Sequence, residues 1–266
     1  RVQLRIDAVG DLDPNRILKC YGYRFGQRPF MIVDFDGRKR LSYLVRQGDL
    51  NALERLKLIF EAGKAIQYLH SQNPPLVHGA VHPKNIFIKE PNSAVLSDFG
   101  LANVWRLLEV DHLLREFPNE RFYYAELSTG AKIGYTAPEY ILDDEEEMAP
   151  SADIYAFASV IVAVMSSRHP FTGVSMWSPK GIAAITQGAP PDPEDHPDLP
   201  ENDTLWPLLQ RMWSRYPGDR PTIDEVMKQL DRELQIRSEE ALPNNIAPKD
   251  AGEYHITDLM GAEPSA

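Results

Sequence analysis

Cysteine is almost missing: Cys20 is the only one in 266 residues. A single thiol excludes an internal disulfide framework and fits a reducing, intracellular and cytoplasmic setting. Positive charge is also scarce, with 28 Lys and Arg against 39 Asp and Glu and a formal net charge of −11. Phosphate backbones are held by basic surface, so nucleic acid is not an expected partner. Long apolar runs are missing too. The longest, residues 155–165, is far shorter than the roughly 20 residues a bilayer span requires. It reads as a buried core helix, and membrane insertion is not expected. There is no signal-peptide pattern and no internal repeat. What remains, 43% hydrophobic and 25% charged, is an ordinary globular composition. The chain is long enough for one sizeable core or two small lobes.

Periodicity gives a coarse order of elements. Val2, Ile6 and Val9 form a helical stripe that Gly10 and Pro14 end. Residues 17–21 and 30–35 read as strands, with Gly26-Gln27-Arg28 between them as a hairpin turn. A short helix is expected over 41–45. Leu56, Ile59, Ala62, Ile66 and Leu69 then make one apolar face of a helix over 52–70. The acidic run Asp143-Asp144-Glu145-Glu146-Glu147 reads as a solvated connection to an apolar helix starting near Ser151. Beyond Pro170 the chain becomes loop-rich, and 190–202 reads as an exposed loop. Leu205, Leu208, Leu209 and Met212 mark another helix. Thr222 with Glu225 fits a capping box that opens the last one. The pattern fades beyond about Gln235, and 244–266 reads as a mobile tail. Strands early and helices late make an α+β chain.

The stretch at 77–100 organises the rest. Ile86-Phe87-Ile88 and Ala94-Val95-Leu96 read as strands joined by Pro91-Asn92-Ser93, and the hairpin ends in Asp98-Phe99-Gly100. Before it stands His78-Gly79-Ala80-Val81-His82-Pro83-Lys84-Asn85. This arrangement resembles the catalytic and metal-binding loops of protein kinases, H-R-D-L-x-x-x-N followed by D-F-G. Tyr68-Leu69-His70, Gly134-Tyr135-Thr136-Ala137-Pro138-Glu139, Asp153-Ile154-Tyr155 and Asp219-Arg220-Pro221-Thr222 extend the resemblance in the family's order. It covers nearly the whole chain and includes features of the tyrosine-kinase-like branch. It implies a protein kinase-like fold, mainly the helical C-terminal lobe with a truncated N-terminal lobe. The expected domain spans 1–235, with 1–36 a remnant of the N-lobe and 37–235 the C-lobe, followed by a disordered tail at 236–266.

The resemblance also assigns roles. Asp98 and Asn85 match the magnesium ligands, both oxygen donors suited to a hard cation. ATP and Mg²⁺ are therefore the cofactors of the intact pattern, although no cofactor follows firmly for this chain. His78 would pack against Phe99, Glu139 would pair with Arg220, and Asp153 would bond the loop backbone. The base is lost: Ala80 stands in the place of the catalytic aspartate. His82 replaces a phosphate-contacting lysine, Gly79 an arginine, and Lys132 falls near an expected threonine. No G-x-G-x-x-G or V-A-I-K-like strand precedes the first strand pair. His78 and His82 also have a zinc-compatible spacing, but Gly79 and Pro83 argue against a helix there. Ser128 and Thr129 fall in the expected activation segment and are hydroxyl candidates for phosphorylation. The pattern reads as a pseudokinase: an interaction or allosteric module in signalling, with protein partners. The alternatives are an active Ser/Thr-type kinase transferring the ATP γ-phosphate, and a nucleotide-binding sensor without turnover.

Overall fold

The computed structural model describes residues 12–24, 30–33, 37–89, 93–97, 134–142, 148–172 and 179–241. The expected N-terminal helix, the turns at 26–28 and 91–92, the motif at 98–100 and the segment at 101–133 lie outside the described residues. So do the acidic run at 143–147 and the tail from 242.

Asn51 opens the long helix that the rest packs around. Its side chain accepts from Glu54 N at 3.0 Å, and the Glu54 carboxylate accepts from Asn51 N at 2.8 Å. Two of the helix's orphan amides are thereby satisfied reciprocally. The helix, α2, runs Ala52–His70, following a short α1 at Leu41–Gln47. Its apolar face carries Leu56, Ile59, Ala62, Ile66 and Leu69, all buried. Gly63 sits where α2 crosses its neighbours: a Cβ there would collide with Met227 Sδ and crowd the Phe157 ring.

The central helix α4, Pro150–Ser166, comes after a one-turn α3 at Pro138–Leu142. It is apolar nearly all round and buried on nearly every side, as such a helix must be. Proline in its first turn costs no hydrogen bond. Its last carbonyls are capped from a distance. Arg55 Nη1 donates to Val164 O, Met165 O and Ser167 Oγ, where Ser167 takes the left-handed conformation.

Among the described residues, five strands form two small sheets. β1, Cys20–Arg24, pairs antiparallel with β2, Phe30–Val33. β3, Lys39–Arg40, β4, Ile86–Lys89, and β5, Ser93–Leu96, make an antiparallel sheet in that order. The first strand begins three residues later than its apolar pattern suggests. Ile17 is instead drawn onto β5 by an isolated parallel bridge, with Leu18 N donating to Leu96 O and Leu96 N to Arg16 O.

The C-terminal part adds α5 at Pro179–Thr186, α6 at Trp206–Met212 and α7 at Ile223–Glu240. Three expectations are corrected here. A helix, α5, occupies part of the region read as loop. The segment at 190–202 is not wholly exposed, because His196 and Leu199 are fully buried. Helix α7 continues to Glu240, past the expected boundary at 235. There polar bonds replace the apolar stripe: Arg237 pairs with Asp203 at 2.6 Å, and Thr204 donates to Glu233 at 2.6 Å. One continuous core joins α2, α4, α6, α7 and the β4–β5 hairpin. The result is an α+β fold whose described residues are mainly helical.

Candidate functional site

The loop between α2 and β4 is held from below by one carboxylate. Asp153, in the first turn of α4, is 1% exposed. Its Oδ2 accepts from His78 N and its Oδ1 from Gly79 N, both at 2.8 Å. His70 Nε2, in the last turn of α2, donates to Oδ2 at 3.0 Å. A buried charge is tolerable only when so fully bonded. Three elements meet at this one side chain.

The loop is also tied from within. His78 is fully buried, and its Nε2 lies 2.9 Å from Ser97 O while Nδ1 accepts from Ala80 N at 3.1 Å. A carbonyl only accepts and an amide only donates, so the ring proton sits on Nε2. Asn85 Nδ2 donates to Ala80 O at 3.0 Å, and Ser97 N donates to Asn85 O at 2.8 Å. Gly79 has φ of 73°. That left-handed conformation suits glycine and strains any residue with a Cβ.

His82 is buried against the segment that follows 133. Its ring centroid lies 4.3 Å from that of Tyr135, which meets His169 edge-on at 5.5 Å. His82 Nδ1 accepts from Lys84 N at 3.0 Å. Burial raises the Tyr135 hydroxyl pKa well above its ordinary value, so the phenol stays protonated. The same segment is anchored by a relay. Trp213 Nε1 donates to Ser159 Oγ at 3.0 Å, and that hydroxyl donates to Gly134 O at 2.6 Å.

Glu139 and Arg220 come together in a two-pronged pair, Nη1–Oε1 at 2.6 Å and Nη2–Oε2 at 2.7 Å. Arg220 also donates to Ser151 O and Ser214 O and lies over the Tyr155 ring at 5.2 Å. Its guanidinium is thereby nearly saturated.

The chemical side of the loop is sparse. Ala80 presents only a methyl group. His78 has both ring nitrogens engaged, Nδ1 accepting from Ala80 N and Nε2–H donating to Ser97 O, so it has no lone pair left for zinc. Among the described residues no group of His, Cys, Asp or Glu is placed to hold a metal. Asn85, whose amide nitrogen is spent on Ala80 O, offers magnesium one side-chain oxygen. Asp98 and Phe99 lie outside the described residues, as do Ser128, Thr129 and Lys132.

Some of these residues escaped the sequence reading. His70 closes a helix by pattern, and only the fold shows it facing Asp153. Ser159 had a signal: it is a hydroxyl inside an otherwise apolar helical run. Arg55 had none, because its partners lie more than a hundred residues away.

The protein kinase domain model matches residues 6–230. Among similar curated proteins, mouse ankyrin repeat and protein kinase domain-containing protein 1 is 28% identical over 68% of this chain and 23% of its own length. The probable serine/threonine-protein kinase qkgA of Dictyostelium discoideum is 27% identical over 88% of this chain and 14% of its own. Bovine receptor-interacting serine/threonine-protein kinase 2 is 26% identical over 70% and 33%. The chain spans a third or less of the length of these relatives.

Proposed function

The chain belongs to the protein kinase domain family, and we propose that it is a pseudokinase: a kinase domain that has kept its scaffold, lost phosphoryl transfer and serves as an interaction or allosteric module. The observation that carries this reading is Ala80. Its backbone is held in the loop by Asn85 and His78, so the position is ordered, yet it bears no group to orient a hydroxyl or take its proton. A general base contributes roughly 10²–10⁴-fold, about 3–5 kcal/mol of barrier. His82 supports the same reading. Its ring is packed on Tyr135 and bonded to Lys84 N, an arrangement suited to bracing the loop.

The test is direct. Purified protein with ATP, Mg²⁺ or Mn²⁺ and generic protein substrates is expected to give no phosphorylation above a buffer control. Turnover that Asp98→Ala abolishes would overturn the proposal.

The names of the relatives favour a second reading, a serine/threonine kinase acting on protein hydroxyls. That reading needs another group to orient the hydroxyl, and misplacement by about 1 Å already costs on the order of 10²-fold. A third reading, a nucleotide sensor without turnover, rests on Asn85. Thermal denaturation with millimolar ATP separates it, since a ligand that binds only the folded state raises Tm by mass action. We expect no shift.

A further inference from the structure

The protein is strongly acidic, yet one edge of it is not. Residues 37–48 contain Arg38, Lys39, Arg40 and Arg46 and no Asp or Glu. Both residues of β3, Lys39 and Arg40, are exposed. Arg46 is exposed on α1, and Lys84 is exposed at the end of the 78–85 loop. These side chains share one place. Lys39 and Arg40 pair with Ile88 and Phe87 of β4, four and three residues beyond Lys84. Ser42 N donates to Pro83 O at 3.1 Å, which sets the first turn of α1 against Lys84. Arg46 Nε reaches back to Ser42 O at 3.1 Å.

Two features separate this edge from an ordinary solvated surface. Lys39, Arg40, Arg46 and Lys84 enter no ion pair among the described residues; Arg40 lies over the Phe87 ring at 5.4 Å and Arg46 holds Ser42 O, contacts that leave both charges unneutralised. The ion pairs among the described residues fall elsewhere: Arg16 and Lys64 on Glu61, Arg220 on Glu139, Arg237 on Asp203 and Glu233. Second, the edge breaks local rules. Arg40 sits at the N-cap of α1, makes no side-chain cap and is followed by no acidic residue in the first turn. A cation there opposes the helix dipole, and such local conflicts collect at functional places. Tyr43, 47% exposed, stands three residues before Arg46 on the same side of the helix. It supplies an aromatic anchor between the charges. The carboxylates Asp34, Asp36 and Asp49 bracket the run in sequence without interrupting it.

We propose that Lys39, Arg40, Tyr43, Arg46 and Lys84 form a docking strip for an acidic peptide segment of a protein partner. Exposed cations flanking one aromatic ring match a carboxylate-rich segment carrying an apolar side chain. In a chain of net charge −11, such a strip is where an acidic segment meets least repulsion. The inference rests on the interaction-module reading and names the class of partner.

The test uses the 266-residue chain and a fluorescein-labelled peptide of alternating Asp and Glu around a central Phe, read by fluorescence anisotropy. Binding is expected at low salt and weakens as salt rises. Lys39→Glu with Arg40→Glu is expected to weaken it about tenfold or more, and Tyr43→Ser about threefold. Lys57→Glu with Lys228→Glu changes net charge equally at exposed sites elsewhere, and should stay within about twofold. Equal losses in the two double variants would overturn the strip. So would a thymidine oligomer of matched charge binding as tightly as the peptide. Neutralising Asp143-Asp144-Glu145-Glu146-Glu147 to Asn and Gln is expected to leave affinity unchanged; a tenfold gain would reassign the strip to that run and overturn a partner in trans. The same preparation reports separately on the parent reading. Phosphoryl transfer above control removes the pseudokinase and leaves the strip standing, while failed peptide capture removes the strip and leaves the loop argument intact.

Discussion

The loop at 78–85 has two sides, and they obey different rules. Its inner side is saturated. His78 N and Gly79 N end on Asp153, the His78 ring spans Ala80 N and Ser97 O, and Asn85 closes back on Ala80 O. Its outer side carries Gly79 without a side chain, the Ala80 methyl and an exposed Lys84. The difference is energetic. Each buried polar group left unpaired costs about 1–3 kcal/mol, so the inner side cannot be altered piecemeal without endangering the fold. An exposed position away from such bonds usually changes stability by less than about 0.5 kcal/mol. A kinase fold can therefore lose its chemistry at the outer side and remain folded. Scaffold and catalysis share one stretch of sequence but not one set of constraints.

The sharpest way to break this comparison is Asp153→Ala. It strands two loop amides and the His70 ring at once, and we expect about 4 kcal/mol of lost stability by urea denaturation. Asp153→Asn keeps one acceptor oxygen and should lose less. A loss below about 1 kcal/mol for the alanine variant would mean the inner side is not what holds the loop. Arg220→Lys comes next, at about 2 kcal/mol, because an ammonium cannot reproduce the two-pronged contact with Glu139 or reach both carbonyls. Gly79→Ala follows at about 1 kcal/mol, the cost of a Cβ at φ of 73°. It probes backbone conformation alone, since the Gly79 amide would still reach Asp153.

A control lies away from the loop. His196 is buried, with Nε2 on Pro170 O at 3.0 Å and Nδ1 on Ser166 Oγ at 2.9 Å. Burial lowers its pKa below the ordinary 6.5. A group whose folded pKa is depressed stays neutral in the fold while the unfolded chain takes up a proton. Its contribution is thus complete above about pH 6.5 and is lost as pH falls through the depressed value. Tm measured between pH 7.5 and 5.5 should fall more steeply in the parent than in His196→Asn. Equal slopes would show that burial there carries no proton linkage.

Much of the fold was legible because its signals are local. The apolar spacing of Leu56, Ile59, Ile66 and Leu69 requires a helix, and Thr222 with Glu225 marks the start of another; both helices stand where those residues put them. The kinase family was legible because its motifs keep their order. What was not legible depends on distant partners. Ile17 reads as a strand residue in its own neighbourhood, but Leu96 captures it. His196 lies in a stretch rich in Pro and Asp that looks solvated, yet Ser166 and Pro170 enclose it. Pro179 at the start of α5 follows residues with no helical period. At the site, Glu139 with Arg220, and Asp153 with the loop backbone, could be named from motif positions, whereas the arrival of His70 on the same carboxylate needed the fold. Position 80 is the opposite case: the proposal that a carboxylate is missing there rests on one letter of sequence, Ala, and on no structure.

The smallest structural effect belongs to the most informative substitution. Ala80→Asp restores the family's carboxylate at a half-exposed position whose backbone bonds, from Asn85 and to His78, involve no side-chain atom of residue 80. Stability should therefore change by less than about 0.5 kcal/mol. If loss of the base were the whole defect, activity would return by roughly 10²–10⁴-fold over background. We expect no such return. The neighbouring His82 is engaged with Tyr135 and Lys84 N rather than extended as a flexible cation, and Gly79 carries no guanidinium. Transition-state charge would still lack its stabilising groups, and electrostatic stabilisation is commonly the largest part of such catalysis. A radiometric assay of Ala80→Asp beside the parent decides it. Parity keeps the outer side of the loop as a surface given over to other uses, and strong phosphorylation by the variant would reduce the difference between the two sides to a single carboxylate.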